Sequence, residues 1–143
     1  MDEPGDGKDD GIGLALRAGF CLLAVFLPLG LCLEVLHGFK VPVYLGSPMR
    51  RELWTLAHMH GNFLGLLLLA WAAVAPRWLA PADRLPVARW LRRGAVLLPV
   101  GFFLGGVGNS EGDPSLAILL VPVGALCLLV GLVLVLLRGG TRP

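Results

Sequence analysis

The chain has 143 residues, of which 56% are hydrophobic and only 15% charged, with a net charge of +2 and a mean hydropathy of +0.77. A soluble domain carries about 25% charged residues, and a chain this short has no interior large enough to hide so many Leu, Val and Ala from water. These totals speak against a soluble enzyme, a nucleic-acid binder and a disordered protein, and they predict a small all-α integral membrane protein with one domain.

Residues 1–11 read MDEPGDGKDDG, an acidic, Gly-rich tail expected to be disordered. No basic n-region or small-residue cleavage site follows, so the first span is expected to be a permanent helix and not a cleaved signal peptide. That span is placed at 12–37: Arg17 and Glu34 bracket the apolar run Ala18 to Leu33, and their charged ends reach the interface. The second span, 53–75, lies between Glu52 and Arg77 and is interrupted by His58, His60 and Asn62. The third, 87–108, has a short apolar part from Gly94, with the amphipathic segment Leu85 to Arg93 supplying its first turns. The fourth, 115–137, is free of charge and is opened by Asp113-Pro114. Residues 139–143 form a tail.

Four spans put the N-terminal tail, the loop at 76–93 and the C-terminal tail on one side. That side holds nine basic residues (Lys8, Arg17, Arg77, Arg84, Arg89, Arg92, Arg93, Arg138, Arg142) and the other holds three (Lys40, Arg50, Arg51). The asymmetry predicts both termini in the cytoplasm, and a bacterial inner membrane is the expected location. Pro28, Pro99 and Pro122 are predicted to kink their spans. Gly61 with Gly65, Gly101 with Gly105, and Gly124 with Gly131 offer faces for close helix contact, within a bundle or between subunits. Cys21, Cys32 and Cys127 lie in apolar runs without a CxxC or zinc spacing, which predicts packing roles. Trp54, Trp71, Trp78 and Trp90 read as an aromatic belt.

An ionisable group within a span is a functional candidate by default. With alternating span directions, Glu34, His37, His58, His60, Asn62 and Asn109 fall into one outer layer. His58, Asn62 and Gly65 share a helical stripe. His60 is about 200° away around the helix, so the two histidines cannot ligate one ion together. His58 is expected to face the bundle, and His60 a subunit neighbour or lipid headgroups. Glu34 is placed to hold the second nitrogen of a histidine, as around metal sites, and Tyr44 joins the group if the outer loop folds back. Each has a plainer reading too, as an interfacial or packing residue. There is no Gly-rich phosphate loop, GxSxG or HExxH. Because the three histidines lie at one level, at most one haem or metal layer is possible.

The stretch Leu56-Ala57-His58-Met59-His60-Gly61-Asn62-Phe63-Leu64-Gly65 resembles the start of the second span in the small membrane isomerases, styrene-oxide isomerase and hydroxylaminobenzene mutase. Ala57, His58 and Gly61 carry the likeness. Asn62 comes two positions earlier than the families' Asn, and His60 stands where they have an acidic residue. The resemblance implies a homo-oligomer, a trimer in those families, with His58 as axial ligand of a b-type haem. The iron then acts as a Lewis acid on a hydrophobic epoxide or hydroxylamine. Asn62, with Tyr44 or Asn109, then orients the oxygen and stabilises developing charge. Two other classes stay open: a non-catalytic accessory or assembly subunit, and a small transporter or metal-handling protein with an outer-face polar site.

Overall fold

The computed structural model describes residues 11–108 and 113–140. Helix α1 spans Gly11–Gly38, the one-turn α2 Pro42–Leu45, α3 Pro48–Trp78 and α4 Pro81–Gly105. A 3-10 turn, Leu116–Leu119, then leads into α5, Leu120–Arg138. Proline sets three of the starts: α2, α3 and α4 each begin on one, where its fixed φ suits the first turn and its missing N–H is not needed. Ser47 caps α3 by accepting the Arg50 N–H at 3.2 Å.

The four main helices run alternately up and down. Glycine neighbours give the pairings: Gly19 lies against Gly65 and Gly30 against His58, Gly105 against Leu53, and Gly94 against Leu128. Helix α3 is sandwiched between α1 and α4, and those three share the core of Leu22, Phe26, Leu64, Leu68, Leu91 and Leu98. Among the described residues, helix α5 packs only against α4 and the 3-10 turn that precedes it. The predicted glycine pairs all work inside the chain. Gly61 receives the Phe26 ring, Gly65 meets Gly19, Gly101 meets Leu120 and Val121, and Gly124 and Gly131 meet Leu98 and Leu91.

Three stretches are long and apolar enough to cross a membrane: Gly11–Gly38, Pro48–Trp78 and Leu116–Arg138. Most of their surface is apolar and exposed, which marks the chain as an integral membrane protein. Helix α4 differs from the expected third span. It is continuous from Pro81, and its first half carries Asp83, Arg84, Arg89, Arg92 and Arg93. The apolar remainder, Gly94 to Gly105, rises only about 18 Å, short of the ~30 Å hydrocarbon core.

Three smaller expectations are corrected. Pro122 does not interrupt a helix: it falls in the first turn of α5, after the 3-10 segment, where no backbone bond is lost. Cys21 and Cys32 are exposed and Cys127 is half-buried; Cys32 borders an apolar recess between α1 and α4. Trp71 is not at a helix end. Seven residues before Trp78, it lies about 10 Å deeper and packs against the core.

Candidate functional site

The polar residues gather where α1 ends and α3 begins. His58 projects from α3 onto α1 at Gly30. A Cβ on Gly30 would stand 2.7 Å from His58 Nδ1 and 2.8 Å from Nε2, so the ring occupies room that only glycine leaves. One turn earlier on α1, the Phe26 carbonyl oxygen lies 2.7 Å from His58 Nδ1. A carbonyl only accepts, so the hydrogen between them belongs to Nδ1. In the neutral ring Nε2 then keeps its lone pair. The two nitrogens of an imidazole point in nearly opposite directions, so Nε2 is aimed away from Phe26, toward the Glu34 end of α1.

That end is a cavity of about 440 Å³ lined by Leu27, Leu31, Leu33, Glu34, His37, Tyr44, Thr55 and His58. Three of the residues expected at a site therefore meet here: His58, Glu34 and Tyr44. Tyr44 arrives because the loop does fold back. The short α2 buries it, with its ring stacked 6.2 Å from Trp54 and edge-on to His37 at 6.5 Å. Trp54 in turn stacks on Phe103 at 5.4 Å and donates its indole N–H to the Phe103 carbonyl at 3.0 Å. Arg50 ties the same corner together. Its guanidinium lies 5.7 Å over the Trp54 ring and donates to the carbonyls of Gly106, at 2.9 Å, and Val43.

Two expected roles fall differently. Glu34 does not hold the second nitrogen of His58; the Phe26 carbonyl does, because the ring is pressed against α1 one turn below Glu34. Glu34 is instead an exposed carboxylate on the cavity wall. Asn62 does not line the cavity. Its amide bends back along α3 and donates to the His58 carbonyl at 2.9 Å, the local bonding that short polar side chains make within helices. Its amide nitrogen is also 3.1 Å from His58 Nδ1, but that atom already donates to Phe26. The Asn62 oxygen is buried without a partner. Asn109 lies outside the described residues.

His60 is half-buried on another face of α3, in a surface recess with the exposed Met59 and Phe63. It lies 5.0 Å from the Phe102 ring of α4, and its Nδ1 donates to the Leu56 carbonyl at 2.8 Å. Because α3 packs on both α1 and α4, His58 meets the first helix and His60 the second. Among the described residues no three His, Cys, Asp or Glu side chains come together to hold a metal ion.

Sequence reasoning missed Gly30, Thr55 and Arg51. Thr55 and Arg51 line a second cavity of about 520 Å³, with His37, Tyr44, Pro48, Glu52 and Leu56. The signal for Arg51 and Thr55 was present, since residues 51, 55 and 58 fall on one face of a helix. No protein-family model matches the chain, and no curated protein or solved structure does.

Proposed function

We propose that the chain is a four-span membrane protein, both termini cytoplasmic, that isomerises a hydrophobic epoxide or hydroxylamine in the cavity between α1 and α3. The observation that carries this reading is the tethered histidine. Phe26 fixes the hydrogen on Nδ1 of His58, and Nε2 is left with a free lone pair on a residue that lines the cavity. A histidine held this way by a backbone carbonyl is the usual arrangement at a metal. It fits a haem, which needs only one such protein ligand, better than a bare ion, which needs several.

A haem iron held by His58 would supply Lewis acidity toward the substrate oxygen without net redox change. The chain's own residues do the rest. Leu27, Leu31 and Leu33 give the apolar wall, and the volume suits a small molecule, whose sites run about 300–1,000 Å³. The Tyr44 ring, held between His37 and Trp54, forms part of the cavity wall. Asn62 acts on the backbone of His58 and so orients it, and is not a group for the substrate oxygen. By the positive-inside count the cavity opens toward the outer face. Helix α4 then spans as the third helix with Arg92 and Arg93 snorkelling to the inner interface.

The test is the absorption spectrum of protein purified in detergent after expression with a haem supply. A Soret band is expected in the native protein and in His60→Ala, and is lost in His58→Ala. A folded native protein without the band overturns the haem reading. The second reading, a non-catalytic membrane subunit, is favoured by α5. That helix touches only α4 and turns Leu126, Leu129, Leu132 and Leu136 outward.

A further inference from the structure

Arg51 stands apart from the other charged groups at this end. Its Nε is buried and has no hydrogen-bond partner. No ion pair joins it to Glu52 or Glu34, both of which are exposed. Its neighbour Arg50 is already occupied by two carbonyls and the Trp54 ring. A guanidinium has five donors and keeps its charge; here the shielded Nε lacks an acceptor, which a ligand at the half-buried side chain would supply.

The surroundings say what kind of ligand. Arg51 is in the first turn of the 31-residue α3, where the helix dipole also favours an anion. The cavity it lines shares His37, Tyr44 and Thr55 with the His58 cavity, so the two are neighbours along α3. Arg51, Thr55 and His58 lie along one face of α3, and from the first to the last the helix rises about 10 Å. Beyond Thr55 the walls become Leu27, Leu31 and Leu33.

We infer that the two neighbouring cavities bind an amphiphile, its carboxylate or phosphate on Arg51 and its apolar body running along Thr55 toward His58. This deepens the proposed function by naming an acidic class of substrate, and it rests on that reading only where the apolar body meets His58. Glu34 lines the His58 cavity and Glu52 the Arg51 cavity; both carboxylates are exposed, and neither pairs with Arg51.

The experiment is a titration of haem-free protein in neutral maltoside micelles, read by tryptophan fluorescence. Trp54 reports because it stacks on Tyr44, which lines both cavities. The probes are decanoate, decyl phosphate, decanol and inorganic phosphate. Decanoate and decyl phosphate are expected to bind about tenfold tighter than decanol, as a charge-assisted bidentate contact warrants. Inorganic phosphate is expected not to bind. Arg51→Gln should remove the preference for the acids, and Arg51→Lys should keep part of it. Neither breaks an internal contact of the guanidinium, so both should fold.

Equal binding of decanol, an unchanged preference in Arg51→Gln, or tight binding of inorganic phosphate alone would overturn the inference. His58→Ala is expected to keep the Arg51-dependent preference. A missing Soret band and a missing preference for acids are therefore separate failures.

Discussion

In the α1–α3 pairing Gly19 and Gly65 bring two backbones together, and then the seam opens at Gly30 to admit an imidazole. In the α4–α5 pairing Gly94 and Gly124 do the same work, but the seam stays apolar from Gly101 to Gly131. A Cβ on Gly65 would stand 3.1 Å from the Gly19 carbonyl oxygen, and one on Gly94 2.6 Å from that of Gly124. At Gly30 the atoms met belong to a side-chain ring, which can turn aside. Glycine thus serves two purposes in one chain. Against backbone it sets the distance between helices, and against a ring it makes room for a functional group. A substitution should read the difference directly.

The largest effect is expected at the apolar seam. In Gly124→Leu the new Cβ would stand 2.7 Å from the Leu98 backbone nitrogen, which cannot move without moving α4. Overpacking there should cost about 3 kcal/mol, and α5 has no other helix to hold it. Unfolding in mixed detergent micelles measures the loss, and limited proteolysis of the α5 segment locates it. A variant of native stability would mean that the two backbones are not in close contact.

Gly30→Leu comes next and should behave differently. The His58 ring turns away, the bond to Phe26 is lost, and the helices remain paired, at a cost of about 1–2 kcal/mol. The sharper readout is the histidine itself. Nitrogen NMR of labelled protein should find the hydrogen on Nδ1 of His58 in the native chain, and no longer fixed there in Gly30→Leu. If the native ring carries its hydrogen on Nε2, the Phe26 contact is wrong and so is the donor aimed into the cavity.

Much of this contrast was readable before any coordinates. The glycine pairs on α3, α4 and α5 stood out by spacing, because three- and four-residue intervals put residues on one helix face. His58 stood out because an ionisable group in an apolar run needs a reason. Gly30 did not. It has no glycine partner at helical spacing, and its role depends on which residue of α3 lies opposite, which is a matter of register between two helices. The holder of Nδ1 was invisible for a related reason. Sequence lists side chains, so Glu34 was the available candidate, while the actual acceptor is a backbone carbonyl. The substrate role expected of Asn62 came from the resemblance, and the stripe shared with His58 fixes only the direction in which Asn62 leaves the helix. Its amide then turns back on the same helix.

A smaller effect is expected where the polar end is fastened to α4. Trp54→Phe keeps an aromatic ring between Tyr44 and Phe103 and under Arg50, and removes the indole bond to the Phe103 carbonyl. One such neutral bond is worth about 1 kcal/mol, and unfolding in micelles should show a loss of that size. A much larger loss would show that this corner, and not the glycine seam, holds α3 to α4.

The smallest effect is expected at the far end of the α4–α5 seam, where Arg138 donates to Asp83 at 2.6 Å. The two side chains are 43% and 26% exposed, so water and salt screen the pair, and exposed pairs contribute about 0–1 kcal/mol. Arg138→Gln should therefore change stability by less than Trp54→Phe, and the difference from the native chain should shrink further as salt is added. Asp83→Asn removes the same ion pair and should likewise cost less than Trp54→Phe. The value of the pair of variants lies in the contrast with Gly124→Leu. If the ion pair fastens α5, removing it should free the helix as fully as the overpacked glycine does. If close backbone packing fastens it, the terminal charge can be lost and α5 will stay in place, protected from protease along its whole length.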